Sequence, residues 1–196
     1  MSRSVSGAVL GGAAAVVVAL ALAGVCWAGA CIGGAAIGVP EAHRASDVPL
    51  VSTDGRQVRL TDGPRIVVFG YVGCAERCPL TLEALSRAAQ ARPGRFARIT
   101  FVDCDPWTDS RGVVGRYVRH FPGVQGVTGD ARALVANEVA LGMWPVARRE
   151  DVAAHDTRLF VLDGKGILVA ALVPEQSSDE LASRVEAALA TVEDIR

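Results

Sequence analysis

The sequence predicts an α/β fold, one sheet with helices on both faces, preceded by a single transmembrane helix. Three observations carry this. Strand-like and helix-like segments alternate from Leu50 onward, the pattern of a sheet covered by crossover helices. Arg65–Tyr71 is a strand-length run, apolar after the arginine, as expected of a strand buried on both faces. Ser4–Pro40 contains no charged residue.

That last run is long enough to span a bilayer, which takes about 20 apolar residues. Arg3 is the only charge before it, and Glu41, His43 and Arg44 follow. The positive-inside rule then leaves the N-terminus in the cytoplasm and the remainder outside. Ala28-Gly29-Ala30-Cys31 faintly resembles a lipoprotein processing site, but an uncleaved anchor is the expectation. Gly29/Gly33 and Gly34/Gly38 have the spacing that lets helices approach closely, and Cys26 and Cys31 read as small inert hydrophobes. The expected organisation is an anchor over residues 1–40, a linker over 41–48 and one domain over 49–196.

Each element of the domain has a local reason. Leu50–Ser52 and Gln57–Leu60 flank Asp54-Gly55, a hairpin turn. Arg65–Tyr71 is the central strand. Pro79–Ala91 carries Leu82, Leu85 and Ala89 on one helical stripe and stops at Arg92-Pro93-Gly94. Phe96–Asp103 alternates as a strand. Asp109 is placed to cap a helix carrying Val113, Val114, Tyr117 and Val118, ended by Pro122-Gly123. Val124–Val127 is a short strand, followed by an amphipathic helix over Asp130–Leu141. Thr157–Leu162 and Ile167–Leu172 pair across Asp163–Gly166. Ser177–Glu180 forms a capping box for a last helix running to about Val192.

Composition narrows the function. Twenty basic and 21 acidic residues leave a net charge of −1, which argues against nucleic acid as a bulk-charge partner. Five cysteines in 196 residues are too few for a disulfide scaffold.

Two of those cysteines, Cys74 and Cys78, follow the central strand and precede a helix. Functional groups of open α/β sheets collect at such carboxyl ends. A spacing of four brings both sulfurs to one side as the chain enters its first helical turn, where the helix N-terminus favours thiolate. Thiolates serve disulfide exchange or a soft metal, and a structural disulfide or two buried thiols is the bland alternative. Cys104 ends the Phe96–Asp103 strand at the same sheet edge. A buried inert thiol is the default there, with exchange or metal shielding as the alternative. Asp105 and Asp109 are expected to cap the following helix rather than touch metal. His155 is one of three histidines, while His43 and His120 are expected to face solvent.

The run Val68-Phe69-Gly70-Tyr71-Val72-Gly73-Cys74-Ala75-Glu76-Arg77-Cys78-Pro79 resembles the strand and Gly-Tyr-x-x-Cys-x-x-x-Cys-Pro motif of the Sco (SenC) family. Asp105-Pro106-Trp107-Thr108-Asp109 resembles its Asp-Pro-x-x-Asp segment, and Gly126-Val127-Thr128-Gly129 its Gly-Leu-Thr-Gly stretch. His155, before Leu159–Asp163, matches the position of its histidine ligand. Ala75 replaces a common proline, and Ala154 a common acidic residue. The resemblance covers roughly residues 48–172. It implies a thioredoxin-like fold with an N-terminal β-hairpin, a membrane anchor, and copper held by Cys74, Cys78 and His155. Two thiolates suit Cu(I), and imidazole suits copper generally, Cu(II) included.

The implied activity is that of a metallochaperone, not an enzyme, delivering copper to the binuclear copper site of cytochrome c oxidase subunit II. The implied setting is the bacterial inner membrane, single-pass, with the domain extracytoplasmic. Other copper-donor or thiol-redox proteins are further partners. The rival readings are a membrane-tethered thiol–disulfide oxidoreductase keeping oxidase cysteines reduced, and a redox or copper sensor. His155 separates them, because metal binding needs it and simple exchange does not.

Overall fold

A computed structural model describes residues 43–75, 77–174 and 177–192. The segment expected to anchor the chain lies outside the described residues. Among those described, no helix is long and apolar enough to cross a membrane.

The strands are β1 (Leu50–Ser52), β2 (Gln57–Val58), β3 (Arg65–Gly70), β4 (Arg98–Asp103), β5 (Val124–Thr128), β6 (Leu159–Leu162) and β7 (Leu168–Leu172). The helices are α1 (Arg77–Ala91), α2 (Arg111–Val118), α3 (Ala131–Ala140) and α4 (Ser178–Leu189). One seven-stranded sheet has the order β2-β1-β5-β4-β3-β6-β7. β3, β4 and β5 run parallel, whereas β6 pairs with β3 antiparallel, Val68 opposite Leu159. The expected α/β class and both hairpins are present.

Every residue of β3 is buried, because alternate side chains enter different cores. Ile66 and Val68 join Leu82 and Leu85 of α1, Val114 and Val118 of α2, and Leu181, Val185 and Leu189 of α4. Val67 and Phe69 face the other way, among Leu50, Val102, Leu134 of α3 and Phe160. Helices therefore cover both faces. Arg92, just past α1, is 2.9 Å from Glu186 of α4 and ties these two helices at their surface.

Local expectations fail in three places. The cap of α2 is Ser110, whose hydroxyl accepts from Val113 N–H, and not Asp109. Asp109 is drawn instead into a contact outside its own helix. Ser177 makes no capping bond with its side chain, so the capping box of α4 is not closed. Between α3 and β6 a 3₁₀ turn forms over Arg149–Ala154, where the sequence offers no apolar periodicity to announce it. At the opposite end of the sheet from the cysteines, Arg65 is fully buried. Its guanidinium donates to the Asp62 carbonyl at 2.7 Å and the Thr100 hydroxyl at 3.3 Å, and burial lowers its pKa to about 10.

Candidate metal centre

β3 ends at Gly70, and the turn that follows carries Cys74 before α1 opens at Arg77. Cys74 N–H donates to the Tyr71 carbonyl at 3.2 Å, which folds the loop back on itself. Cys78 lies in the first turn of α1, followed by Pro79, a position where proline costs the helix no hydrogen bond. Because β6 is antiparallel to β3, the chain entering β6 arrives at the same sheet edge as the chain leaving β3. That arrangement delivers His155, four residues ahead of Leu159, to the cysteine loop.

The Cys78 Sγ and His155 Nε2 atoms are 3.9 Å apart despite a separation of 77 residues. The ring orientation has a definite cause. His155 Nδ1 is 3.0 Å from the Val152 carbonyl, and a carbonyl only accepts, so Nδ1 carries the hydrogen. This leaves the Nε2 lone pair directed at Cys78. The Val152 carbonyl belongs to the 3₁₀ turn and also accepts from His155 N–H. The Tyr71 ring meets the imidazole edge to face, centroids 5.4 Å apart. Burial lowers the His155 pKa, opposed by its bond to Val152 and by Asp156. Neutral imidazole is the form that ligates metals.

Cys78 is buried at 4 % exposure, and its thiol lies against the Cys74 sulfur. Burial first, and Cys74 second, push its pKa up to about 12. This corrects the expectation of a thiolate at the helix N-terminus. Desolvation outweighs the helix dipole at this depth, so Cys78 holds its proton until something electrophilic displaces it. Cys74 is half-buried and stands nearer the surface. No disulfide occurs among the described cysteines. Among the described residues, no three His, Cys, Asp or Glu side chains form a ready-made metal cluster. The structure brings Cys78 to His155 and Cys74 to Cys78.

The packing beneath the sulfurs is close. A Cβ on Gly70 would fall 2.6 Å from Cys78 Sγ and 2.9 Å from the Phe101 ring. Only glycine lets the α1 cysteine reach the strand here.

Cys104 is fully buried with Val146 and Val152, beneath Tyr71, and burial raises its thiol pKa far above the ordinary value. It packs beneath the site, buried as the default expectation has it. Asp105 closes a turn, its Oδ1 accepting from Thr108 N–H at 3.1 Å. His120 is exposed and His43 half-buried, both away from the cysteines in the contacts they make. Asp156 pairs with Arg158 through a short contact. Sequence reasoning missed Val152 and Tyr71 as supports of the histidine. A backbone carbonyl carries no sequence signal, and Tyr71 is visible only as part of a motif.

Known proteins resemble this chain closely in fold. An apo Sco1 protein from Thermus thermophilus is 25% identical, with a TM-score of 0.65, covering 84% of this chain and all of that one. ScoI of Bradyrhizobium japonicum, solved with copper bound, is 20% identical with a TM-score of 0.61, covering 74% of this chain and 98% of its own. BsSco, described as a member of the Sco family of cytochrome c oxidase assembly proteins, is 17% identical with a TM-score of 0.58, covering 79% and 98%. No curated protein matches the chain at a significant level. The SCO1/SenC family model matches residues 40–190, spanning every strand and helix described above. On that match, and on a fold shared with its solved members, this chain belongs to the SCO1/SenC family.

Proposed function

We propose that the protein is a membrane-anchored copper metallochaperone whose Cys74, Cys78 and His155 hold copper as cargo. The observation that carries this is the imidazole. Its Nδ1–H is fixed on Val152, and its Nε2 lone pair is aimed at Cys78 Sγ. Disulfide exchange could use that nitrogen only as a base for the Cys78 thiol, whereas copper uses it as a third ligand beside the two sulfurs. Two sulfurs and one imidazole nitrogen form a donor set suited to Cu(I). Binding releases the Cys78 proton, since the ligand is the thiolate. Relatives solved with copper bound support the choice of cargo.

The recipient is the binuclear copper site of cytochrome c oxidase subunit II, a reading supported by the oxidase-assembly role described for BsSco. The test has two parts. The purified, reduced domain is expected to bind one copper ion tightly, and a strain lacking the protein to lose oxidase activity at low copper and regain it with copper supplementation. A domain that takes up no copper, or an oxidase indifferent to the deletion, ends the proposal.

The thiol–disulfide oxidoreductase reading is favoured by one contact, that of the Cys74 and Cys78 sulfurs. It predicts instead that the deletion is repaired by external reductant and not by copper.

The charge-free run before Glu41 and the lone Arg3 support a bacterial inner-membrane protein with its domain outside the cytoplasm. An alkaline phosphatase fused at the C-terminus is expected to be active, and a reporter that works only in the cytoplasm to be silent. The reverse pattern overturns the topology.

A further inference from the structure

The acidic residues behind the cysteine loop are arranged in a way that metal binding alone does not account for. Val72 N–H, two residues before Cys74, donates to Asp109 Oδ2 at 2.9 Å. Asp109 is nearly buried, and its own N–H is held by the Asp105 carbonyl at 2.9 Å. Its carboxyl also contacts Asp103, which is fully buried at the end of β4 opposite Gly70. Thr128 reaches Asp103 Oδ2 at 3.4 Å, while Oδ1 meets no N–H or hydroxyl donor. Among the described residues no ion pair involves Asp103, Asp105 or Asp109.

Two buried carboxyls in contact, with no cation beside them, cannot both be ionised at modest cost. Keeping a proton on the deeper one, Asp103, relieves that cost. Asp103 is the deeper of the two, and burial, then the nearby Asp109 charge, raises its pKa to about 8. A neutral Asp103 has one hydroxyl to give, and the Asp109 carboxylate is there to take it. Asp109 Oδ2 meanwhile accepts from Val72 N–H.

We propose that Asp109 is the positioning residue of the cysteine loop, holding the backbone before Cys74 through Val72 N–H while the carboxyl of Asp103 donates to it from below. The inference rests on the copper reading above and concerns how the loop is kept in a copper-accepting shape. The three sites of contact belong to β4, the loop after it, and the loop after β3. A change at Asp109 thus reaches Cys74 without touching a ligand.

Asparagine separates this role from a loss of packing. In Asp109→Asn the side chain keeps a carbonyl for Val72 N–H, and its amide donates to an ionised Asp103, so the chain of bonds survives with its direction reversed. Alanine removes both bonds. In the full chain reduced and titrated with Cu(I), Asp109→Ala is expected to weaken copper binding about 10- to 100-fold, the range for residues that orient metal ligands. Asp109→Asn is expected to stay near wild type. Amide hydrogen exchange at Val72 in the apo protein should speed up in Asp109→Ala and not in Asp109→Asn.

Equal copper affinity in Asp109→Ala and wild type, with Val72 exchange unchanged, overturns the inference and leaves the copper proposal standing. If wild type itself binds no copper, the proposed function fails, and Val72 exchange alone then decides whether Asp109 orders the loop. Should Asp109→Ala fail to fold, Asp109→Leu and Asp109→Asn are compared instead. Loss of affinity in Asp109→Asn equal to that in the leucine variant also rejects the bonding role.

Discussion

His155→Ala is expected to lose copper while keeping its thiol chemistry. The substitution removes the Nε2 atom facing Cys78 Sγ and leaves Cys74, Cys78 and the start of α1 in place. Residues that merely orient ligands are worth about 10- to 100-fold in metal affinity, so loss of a ligand should exceed that. Oxidase assembly at low copper should fail with it. The Cys74–Cys78 pair should still oxidise and be reduced, because exchange depends on thiolate character and access. Its rate need not be unchanged, since a neutral ring packed over Cys78 also shields it. Cys78→Ser should abolish both properties, removing a ligand and an exchange partner together. Measuring bound Cu(I), disulfide formation and oxidase activity in the same strains separates the outcomes. Full oxidase activity in a His155→Ala strain whose protein holds no copper rejects the chaperone and promotes the reductase.

Gly70→Ala is expected to damage stability and the site together. The new methyl group would lie 2.6 Å from Cys78 Sγ and 2.9 Å from the Phe101 ring, closer than van der Waals contact allows. Phe101 is fully buried between α1 and α2 and has nowhere to go, so Cys78 and the first turn of α1 must yield. Overpacking of this kind costs about 1–3 kcal/mol. It also displaces the sulfur that faces His155, and copper affinity should fall with stability. Urea denaturation of the apo domain and Cu(I) competition titration measure the two effects. A variant of full stability and full affinity would show that the strand and helix are not in contact as described.

The architecture and the cysteine pair are legible because they rest on local pattern, whereas His155 is marked as a ligand candidate only by the family resemblance. Ile66–Phe69 is a fully apolar run, and a fully buried strand is what such a run becomes. The turn at Asp54-Gly55 and the Cys-x-x-x-Cys-Pro run likewise announce themselves within a few residues. What the sequence could not display was the meeting of distant parts. Asp109 looks like a helix cap by local rule, yet Ser110 takes that role, because the Asp109 carboxyl finds a better partner in Val72 across 37 residues. The state of Cys78 misleads for a related reason. Helix position is visible in the chain, but depth is not, and at 4 % exposure depth decides. The carbonyl of Val152 that orients His155 belongs to a turn with no sequence signature.

The pairing of β3 with β6 also sets an order of events during folding. The turn carrying Cys74 and Cys78 is local and can form as soon as α1 does. The histidine arrives only when β6 docks on β3, closing a loop that contains two crossovers and the whole of α3. Contacts so distant along the chain form slowly, since loop entropy must be overcome before they contribute. A newly made chain thus owns a pair of thiols for some time before it owns an imidazole. Reaction with oxidants is open to the chain throughout its folding, whereas discrimination in favour of a metal that needs nitrogen as well as sulfur belongs to the finished fold alone.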